Sequence, residues 1–211
     1  MTHYTVLVKY ESEELNPKDL DKLLEPYSEY KEVEPYKKYV EGDSLERMKK
    51  CYKLEKLEDL VAKIKDWSGC AGGIDEKGLF YWSTYNPKSK WDWWSLGGRW
   101  SGELLLKPGT GGVEGESGTF NNETGIDMAF LKDVDFEAIK ERGTNDEHEN
   151  PEFVTHSVLD ENGWHEPSEM GWWGISYNET ETWEQWCAKY HERWLSNPTD
   201  KTVIAVVDCH I

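Results

Sequence analysis

Alternating apolar and polar positions predict β-strands near both ends of the chain. Residues 3–10 alternate and are rich in tyrosine, threonine and valine, which favours a strand. Residues 202–207 are apolar on both faces of an extended chain, which is typical of a strand at the centre of a sheet. The same criteria predict further strands at residues 78–85, from 91 onward, at 102–107 and at 153–159.

Apolar residues at helical spacing predict four helical regions between these strands. They run from Asn16-Pro17 through Leu24, from Ser44 to Ser68-Gly69, from Asp135 to Gly143, and from Trp183 to Asn197-Pro198. The last region carries a single apolar stripe, formed by Trp183, Trp186, Cys187, Tyr190 and Trp194. A helix with such a stripe is expected to lie on the sheet.

Helices and strands interleave without a convincing interdomain linker, so the sequence predicts one α+β domain over residues 1–211. We expect a mainly antiparallel sheet with helices packed on it, and a ferredoxin-like topology is the first hypothesis. The segment 25–42 is interpreted as a charged surface connector. The glycine-rich loop 108–118 and the acidic loop 143–152 are interpreted as flexible insertions.

Composition narrows the classes of partner. The 211 residues include 42 Asp and Glu against 24 Lys and Arg, a formal charge of −18, which argues against direct binding to nucleic acid or anionic membranes. An acidic chain can instead mimic nucleic acid. No signal peptide or long apolar run is evident, and the cysteines are singly spaced, at Cys51, Cys70, Cys187 and Cys209. We therefore expect a cytoplasmic protein with free thiols and no metal or cofactor.

Tryptophan is concentrated in two segments: of twelve indoles, five fall within residues 82–100 and six within 164–194. In the first segment, extended backbone would place Trp91 and Trp93 on one face and Asp92 and Trp94 on the other. Gly97 and Gly98 permit a tight turn whose amides, with Arg99, could bind an anion while indoles stack on a planar group. The predicted ligand-binding residues are Trp91, Trp93, Trp94, Gly97, Gly98, Arg99, Trp172 and Trp173.

The alternative for both tryptophan-rich segments is a structural role, with the tryptophans in the core, the glycines in a bulge and Arg99 paired with a carboxylate.

At the C-terminus, strand alternation makes Asp208 and His210 neighbours on one face, with Cys209 on the other. That pair is the candidate catalytic group, since a carboxylate can orient an imidazole for general base work. Its structural alternative is a satisfied polar pair at the edge of a sheet, and two ligands do not make a zinc site.

Four segments together resemble a family of uncharacterised proteins encoded by tailed bacteriophages and prophages. They are residues 2–8 (THYTVLV), 86–100 (NPKSKWDWWSLGGRW), 169–174 (EMGWWG) and 206–211 (VVDCHI). Trp94 departs from the tyrosine more usual there. The resemblance carries no established activity. It implies a phage accessory protein acting in the host bacterial cytoplasm, where countering host defence is a reasonable class of role.

Three functions are compatible with these patterns. The first is binding of a small anionic or nucleotide-like ligand in a Trp-rich pocket, as in sequestration of a host immune signal, and we expect the C-terminal pair to be structural in that case. The second is a hydrolase or transferase that acts on such a ligand through Asp208 and His210. The third is an acidic nucleic-acid mimic that inhibits a host defence protein by charge.

Overall fold

A computed structural model of the chain describes residues 2–117, 125–143, 153–171 and 174–211. The sequence predicts one domain, and within it the structure separates two compact units. The larger unit comprises residues 1–28 and 89–211, and the smaller unit comprises residues 29–88.

The strands, numbered in chain order, are β1 His3–Glu11, β2 Tyr36–Tyr39, β3 Gly72–Asp75, β4 Gly78–Ser83, β5 Trp93–Gly98, β6 Glu116–Ser117, β7 Met128–Phe130, β8 Ser157–Asp160, β9 Gly163–His165, β10 Glu169–Met170, β11 Ser176–Tyr177 and β12 Thr202–His210. The helices are α1 Lys18–Leu24, α2 Gly42–Tyr52, α3 Leu57–Val61, α4 Ile64–Ser68, α5 Phe136–Gly143 and α6 Trp183–Tyr190, the last continuing as a π-helical turn over His191–Leu195.

The larger unit is built on a sheet in which β1 and β12 are the central pair. These two strands run antiparallel and stay in register from the pair His3–His210 to the pair Glu11–Thr202. The strand order is β6-β5-β12-β1-β8-β9, and β7 also pairs with β12. All residues of β12 except His210 are buried, so the prediction of a central strand with two buried faces is confirmed.

Each face of this sheet contributes to its own hydrophobic core. On one face, Leu7 and Val206 belong to a cluster with Trp186, Tyr190 and Trp194, the buried part of the predicted aromatic stripe. On the other face the cluster contains Val6, Val8, Val207 and Cys209 with Leu20 and Leu24 of α1. Trp183 of the predicted stripe is instead half exposed. The expected helix-on-sheet arrangement is present on both faces.

The fold class is mixed α+β with mainly antiparallel strands, as the sequence predicts. The sheet does not follow the ferredoxin-like order, however. The edge strand β9 follows β8 in the chain and lies outside it, and β5, β6 and β7 extend the sheet beyond β12. A local sequence pattern predicts that a strand forms, whereas the order of the strands in the sheet depends on which strand edges pair in three dimensions.

The smaller unit consists of a three-stranded antiparallel sheet, in the order β2-β4-β3, and the helices α2, α3 and α4. Its core contains Val40, Met48, Leu60, Ile64 and Leu79. Two predictions are corrected here. The segment interpreted as a connector includes the paired strand β2, and the single helix expected after Ser44 is three helices, the first ending at the left-handed residue Lys53.

Two further segments differ from their predictions. Residues 102–107 form isolated bridges at Leu104 and Leu106 rather than a strand. Within the predicted glycine-rich loop, Val113 is bridged to Met128, and β6 pairs with β5. The predicted acidic loop lies outside the described residues except for Gly143. Asp135, from which a helical region is predicted, precedes α5, and its carboxylate accepts a hydrogen bond from the backbone NH of Ala138 in the first turn.

Charge is divided unequally between the units. Residues 29–88 carry 12 acidic and 12 basic side chains, so the excess of 18 negative charges comes entirely from the larger unit, with 30 acidic and 12 basic. All four cysteines are free thiols, as predicted. No described helix combines the length and apolar character needed to cross a bilayer.

Candidate functional site

Two histidines and two aspartates meet at the end of the central sheet where the chain begins and ends. The register places His3 of β1 opposite His210 of β12, and Thr5 opposite Asp208. Because alternate residues share a face, His3, Asp208 and His210 lie on one face. With Asp92, which precedes β5, they form the histidine cluster.

Each imidazole in the histidine cluster is held by its own carboxylate. His3 Nδ1 lies 2.8 Å from Asp208 Oδ1, and His210 Nδ1 lies 2.5 Å from Asp92 Oδ1. The two rings meet edge to face, with centroids 4.9 Å apart. Asp208 and His210 are neighbours on one face, as predicted, but Asp208 orients His3, and sequence reasoning assigned His3 no role.

The cluster is partly exposed, with Asp208 as its buried member and Asp92 25% exposed. The side chain of Asp208 is 2% exposed, whereas those of His3 and His210 are 18% and 13% exposed. No hydrogen bond to either Nε2 atom occurs within the described part of the chain, and neither atom is enclosed. Each ring therefore has a fixed Nδ1 and an accessible Nε2, the arrangement that carboxylate-bound imidazoles use for proton transfer.

The predicted turn at Gly97 and Gly98 brings Arg99 to this cluster. Both glycines have positive φ, 75° and 57°, and the turn directs the backbone NH of Arg99 to Asp208 Oδ2 at 3.0 Å. That amide is therefore used by the protein itself, and anion binding by the amides of Gly97 and Gly98 stays a prediction. The guanidinium is exposed and has no partner among the described residues, so it is the available anion donor.

The tryptophans of the first segment divide between the core and the site. Trp91 and Trp94 both pack against the α1 side of the sheet, and Trp91 Nε1 donates to the carbonyl of Leu24. Trp93 lies on the opposite face, is 47% exposed and meets the ring of His3 edge-on at 6.0 Å. The predicted pairing of Trp91 with Trp93 is wrong because the regular strand begins only at Trp93.

Trp172 and Trp173 lie outside the described residues, so a pocket that includes them stays a prediction. Their neighbours do reach the histidine-bearing end of the sheet. The backbone NH of Gly174 donates to Thr2 Oγ1 at 2.6 Å, one residue from His3. Glu166, which lies nearby in sequence, forms an ion pair with Lys90, and its Oε1 atom is 2.6 Å from Lys90 Nζ. Contacts therefore connect the two segments in which tryptophan is concentrated.

Asp127 is a structural residue that the sequence patterns did not indicate. Its side chain is fully buried and accepts hydrogen bonds from Ser101 Oγ at 3.0 Å and from the backbone NH groups of Gly102 and Gly115, both at 2.7 Å. It thereby ties the chain after the Gly97-Gly98 turn to the segment before β6. An isolated aspartate gives no sequence signal for such a role, because two of its three donors are backbone amides.

His156, near Tyr4, gives a prediction for the pH dependence of stability. Burial lowers the pKa of His156 to about 4 from 6.5. The unfolded chain therefore binds a proton in a pH range where the folded chain does not, so stability falls as pH decreases from 6.5 to 4. We expect the unfolding free energy of the wild type, relative to that of His156→Gln, to decrease by about 3 kcal/mol over this range. Urea unfolding at several pH values measures it, and parallel curves would contradict it.

Comparison with known proteins adds no identification: no family model, curated protein or solved structure matches this chain.

Proposed function

We propose that the protein binds a small anionic, nucleotide-like molecule at the histidine-bearing end of its central sheet. One observation carries the proposal: the single buried carboxylate of Asp208 holds the ring of His3 with one oxygen and the backbone of Arg99 with the other. It thereby holds the backbone of Arg99, an exposed residue, at the same carboxylate that holds the ring of His3. The exposed indole of Trp93, in contact with His3, supplies a stacking surface. A planar base attached to a phosphate matches these groups.

Replacing Arg99 tests this site directly. The guanidinium of Arg99 makes no hydrogen bond or ion pair within the described residues, so Arg99→Ala should leave the melting temperature within about 2 °C. Loss of a charge-assisted hydrogen bond should weaken a nucleotide ligand by about 1.5–3 kcal/mol. Titration calorimetry with a panel of mononucleotides, cyclic nucleotides and cyclic dinucleotides measures the affinity.

Arg193→Ala is the matched control, since Arg193 is paired with Glu181 at 2.5 Å and lies outside the histidine cluster. It should not change affinity. If Arg99→Ala lowers stability and no nucleotide binds to the wild type, Arg99 has a structural role and the proposal fails.

The biological setting we propose is sequestration of a host signal by a phage protein in the bacterial cytoplasm. The support is the resemblance of four segments to phage and prophage proteins, together with a site suited to binding. Sequestration predicts that protein purified from defence-active cells retains a nucleotide that is released unchanged on denaturation. Mass spectrometry of the released fraction identifies it.

The division of charge favours a second candidate, an acidic inhibitor that occupies the nucleic-acid site of a host protein. All 18 excess negative charges belong to residues 1–28 and 89–211, as expected of a unit that imitates a phosphate backbone. Such binding weakens steeply with salt. It should also tolerate Arg99→Ala and Trp93→Ala, which ligand binding does not.

A further inference from the structure

We infer that His3 and His210 form a general acid–base pair that hydrolyses a phosphodiester bond in the ligand of this site. This inference rests on the proposed binding function, since the ligand must first bind there, and it replaces sequestration of an unchanged ligand with cleavage of that ligand. It adds His3, which no sequence motif indicated, and gives Asp92 and Asp208 the role of positioning residues.

The geometry of the two imidazoles carries the inference. Both rings use Nδ1 to bind a carboxylate, Asp208 for His3 and Asp92 for His210. This bond fixes the tautomer and leaves Nε2 to take or give a proton. The ring centroids are 4.9 Å apart, a separation that brings both imidazoles close enough to act on one phosphate group, as proton transfer over a hydrogen bond requires.

The reaction balances without a co-reactant other than water. One imidazole takes a proton from water as the water oxygen forms a bond to phosphorus. The phosphorus–oxygen bond to the leaving group breaks, and the other imidazole, protonated at the start, gives its proton to the departing oxygen. The products are an alcohol and a phosphomonoester, and exchange of one proton with solvent restores both imidazoles. The Arg99 guanidinium would stabilise the charge on the non-bridging oxygens.

A diester fits the charges of the site better than a monoester. A phosphodiester carries one negative charge, which matches the one positive charge of the Arg99 guanidinium. A phosphomonoester carries up to two and would be placed near the carboxylates of Asp92 and Asp208. Among the described residues, no group of three or more His, Cys, Asp and Glu side chains is arranged to hold a metal ion.

The test combines turnover with binding, using the full chain. Substrates are bis(p-nitrophenyl) phosphate, 2′,3′-cyclic and 3′,5′-cyclic mononucleotides and cyclic dinucleotides, with products followed by chromatography and phosphorus NMR in EDTA. His3→Asn and His210→Asn place an amide NH near the position of Nδ1 and remove Nε2. Each should lower kcat at least 100-fold while changing Kd less than about fivefold.

A matched control variant exists in the same unit. His165 is also held by a carboxylate, with Nε2 at 2.8 Å from Asp160 Oδ1, and lies on β9 outside the histidine cluster. His165→Asn should retain full turnover. If an asparagine variant fails to fold, His3→Ala or His210→Ala with added imidazole replaces it, and recovery of activity by imidazole supports the proton-transfer role.

The outcomes separate this inference from the proposed function. Binding without turnover of any substrate overturns the acid–base pair and leaves the binding proposal intact. Failure of every probe to bind overturns both. Turnover that survives both His3→Asn and His210→Asn, or that disappears in EDTA and returns with zinc, also overturns the acid–base pair.

Discussion

Asp127→Ala is expected to lower the free energy of unfolding by about 4 kcal/mol. The substitution leaves three donors, Ser101 Oγ and the NH groups of Gly102 and Gly115, without their acceptor in a buried environment. Each lost partner costs on the order of 1–2 kcal/mol, and the bonds to a carboxylate are the stronger kind. Because a domain of this size has a total stability of about 5–15 kcal/mol, the variant should be close to unfolding at 37 °C.

Urea unfolding followed by circular dichroism measures this effect. Asp200→Ala is the control, since Asp200 is 90% exposed and pairs only with Lys132 at the surface. Exposed pairs of this kind contribute at most about 1 kcal/mol. Equal stability losses for the two variants would show that the Asp127 carboxylate does not hold the surrounding chain together.

Gly98→Ala is expected to cost more than 3 kcal/mol and to disrupt the site. A Cβ atom at Gly98 would lie 2.5 Å from Asp208 Cβ and 2.6 Å from Asp208 Oδ2, closer than real Cβ contacts allow. The position also has φ of 57°, which costs an L-residue about 1 kcal/mol by itself. Relief requires the turn to move away from Asp208, and that movement breaks the hydrogen bond from the backbone NH of Arg99.

A second glycine in the chain separates the backbone cost of an alanine at positive φ from the cost of the overlap with Asp208. Gly109 also has positive φ, 84°, but nothing lies within 4 Å of the Cβ that an alanine would add. Gly109→Ala should therefore show the backbone cost alone, about 1–2 kcal/mol, with ligand affinity unchanged. If thermal melting and calorimetry give the same values for both alanine variants, the close approach of Gly98 to Asp208 has no energetic consequence.

These two predictions concern the same region, because Asp127 and Asp208 anchor successive parts of the chain after β5. A Cβ at Gly97 would lie 2.6 Å from the Asp127 carboxylate, just as one at Gly98 would overlap Asp208. The Gly97-Gly98 pair is therefore required where two buried carboxylates approach the backbone closely. From the sequence, these glycines are expected to form a tight turn for ligand binding, whereas in the structure the turn lies against the protein's own aspartates.

The sequence alone determined the strands and helices with strong periodic patterns. The alternation in β1, the doubly apolar β12 and the aromatic stripe of α6 could be predicted because burial on a sheet or helix face imposes its period directly on the chain. The same alternation placed Asp208 and His210 on one face and Cys209 on the other. Weakly patterned segments, such as β2 among charged residues, were missed because their stability depends on a partner strand.

Only the tertiary structure decided which groups form the site. His3 and Asp208 are 205 positions apart, and no local pattern specifies that contact; it follows from the antiparallel register of β1 with β12. The same register places His210 opposite His3, and the irregular entry into β5 gives His210 the carboxylate of Asp92 and separates Trp93 from Trp91. Periodicity assigns a residue to a face, but its partner on that face is set by how distant strands align.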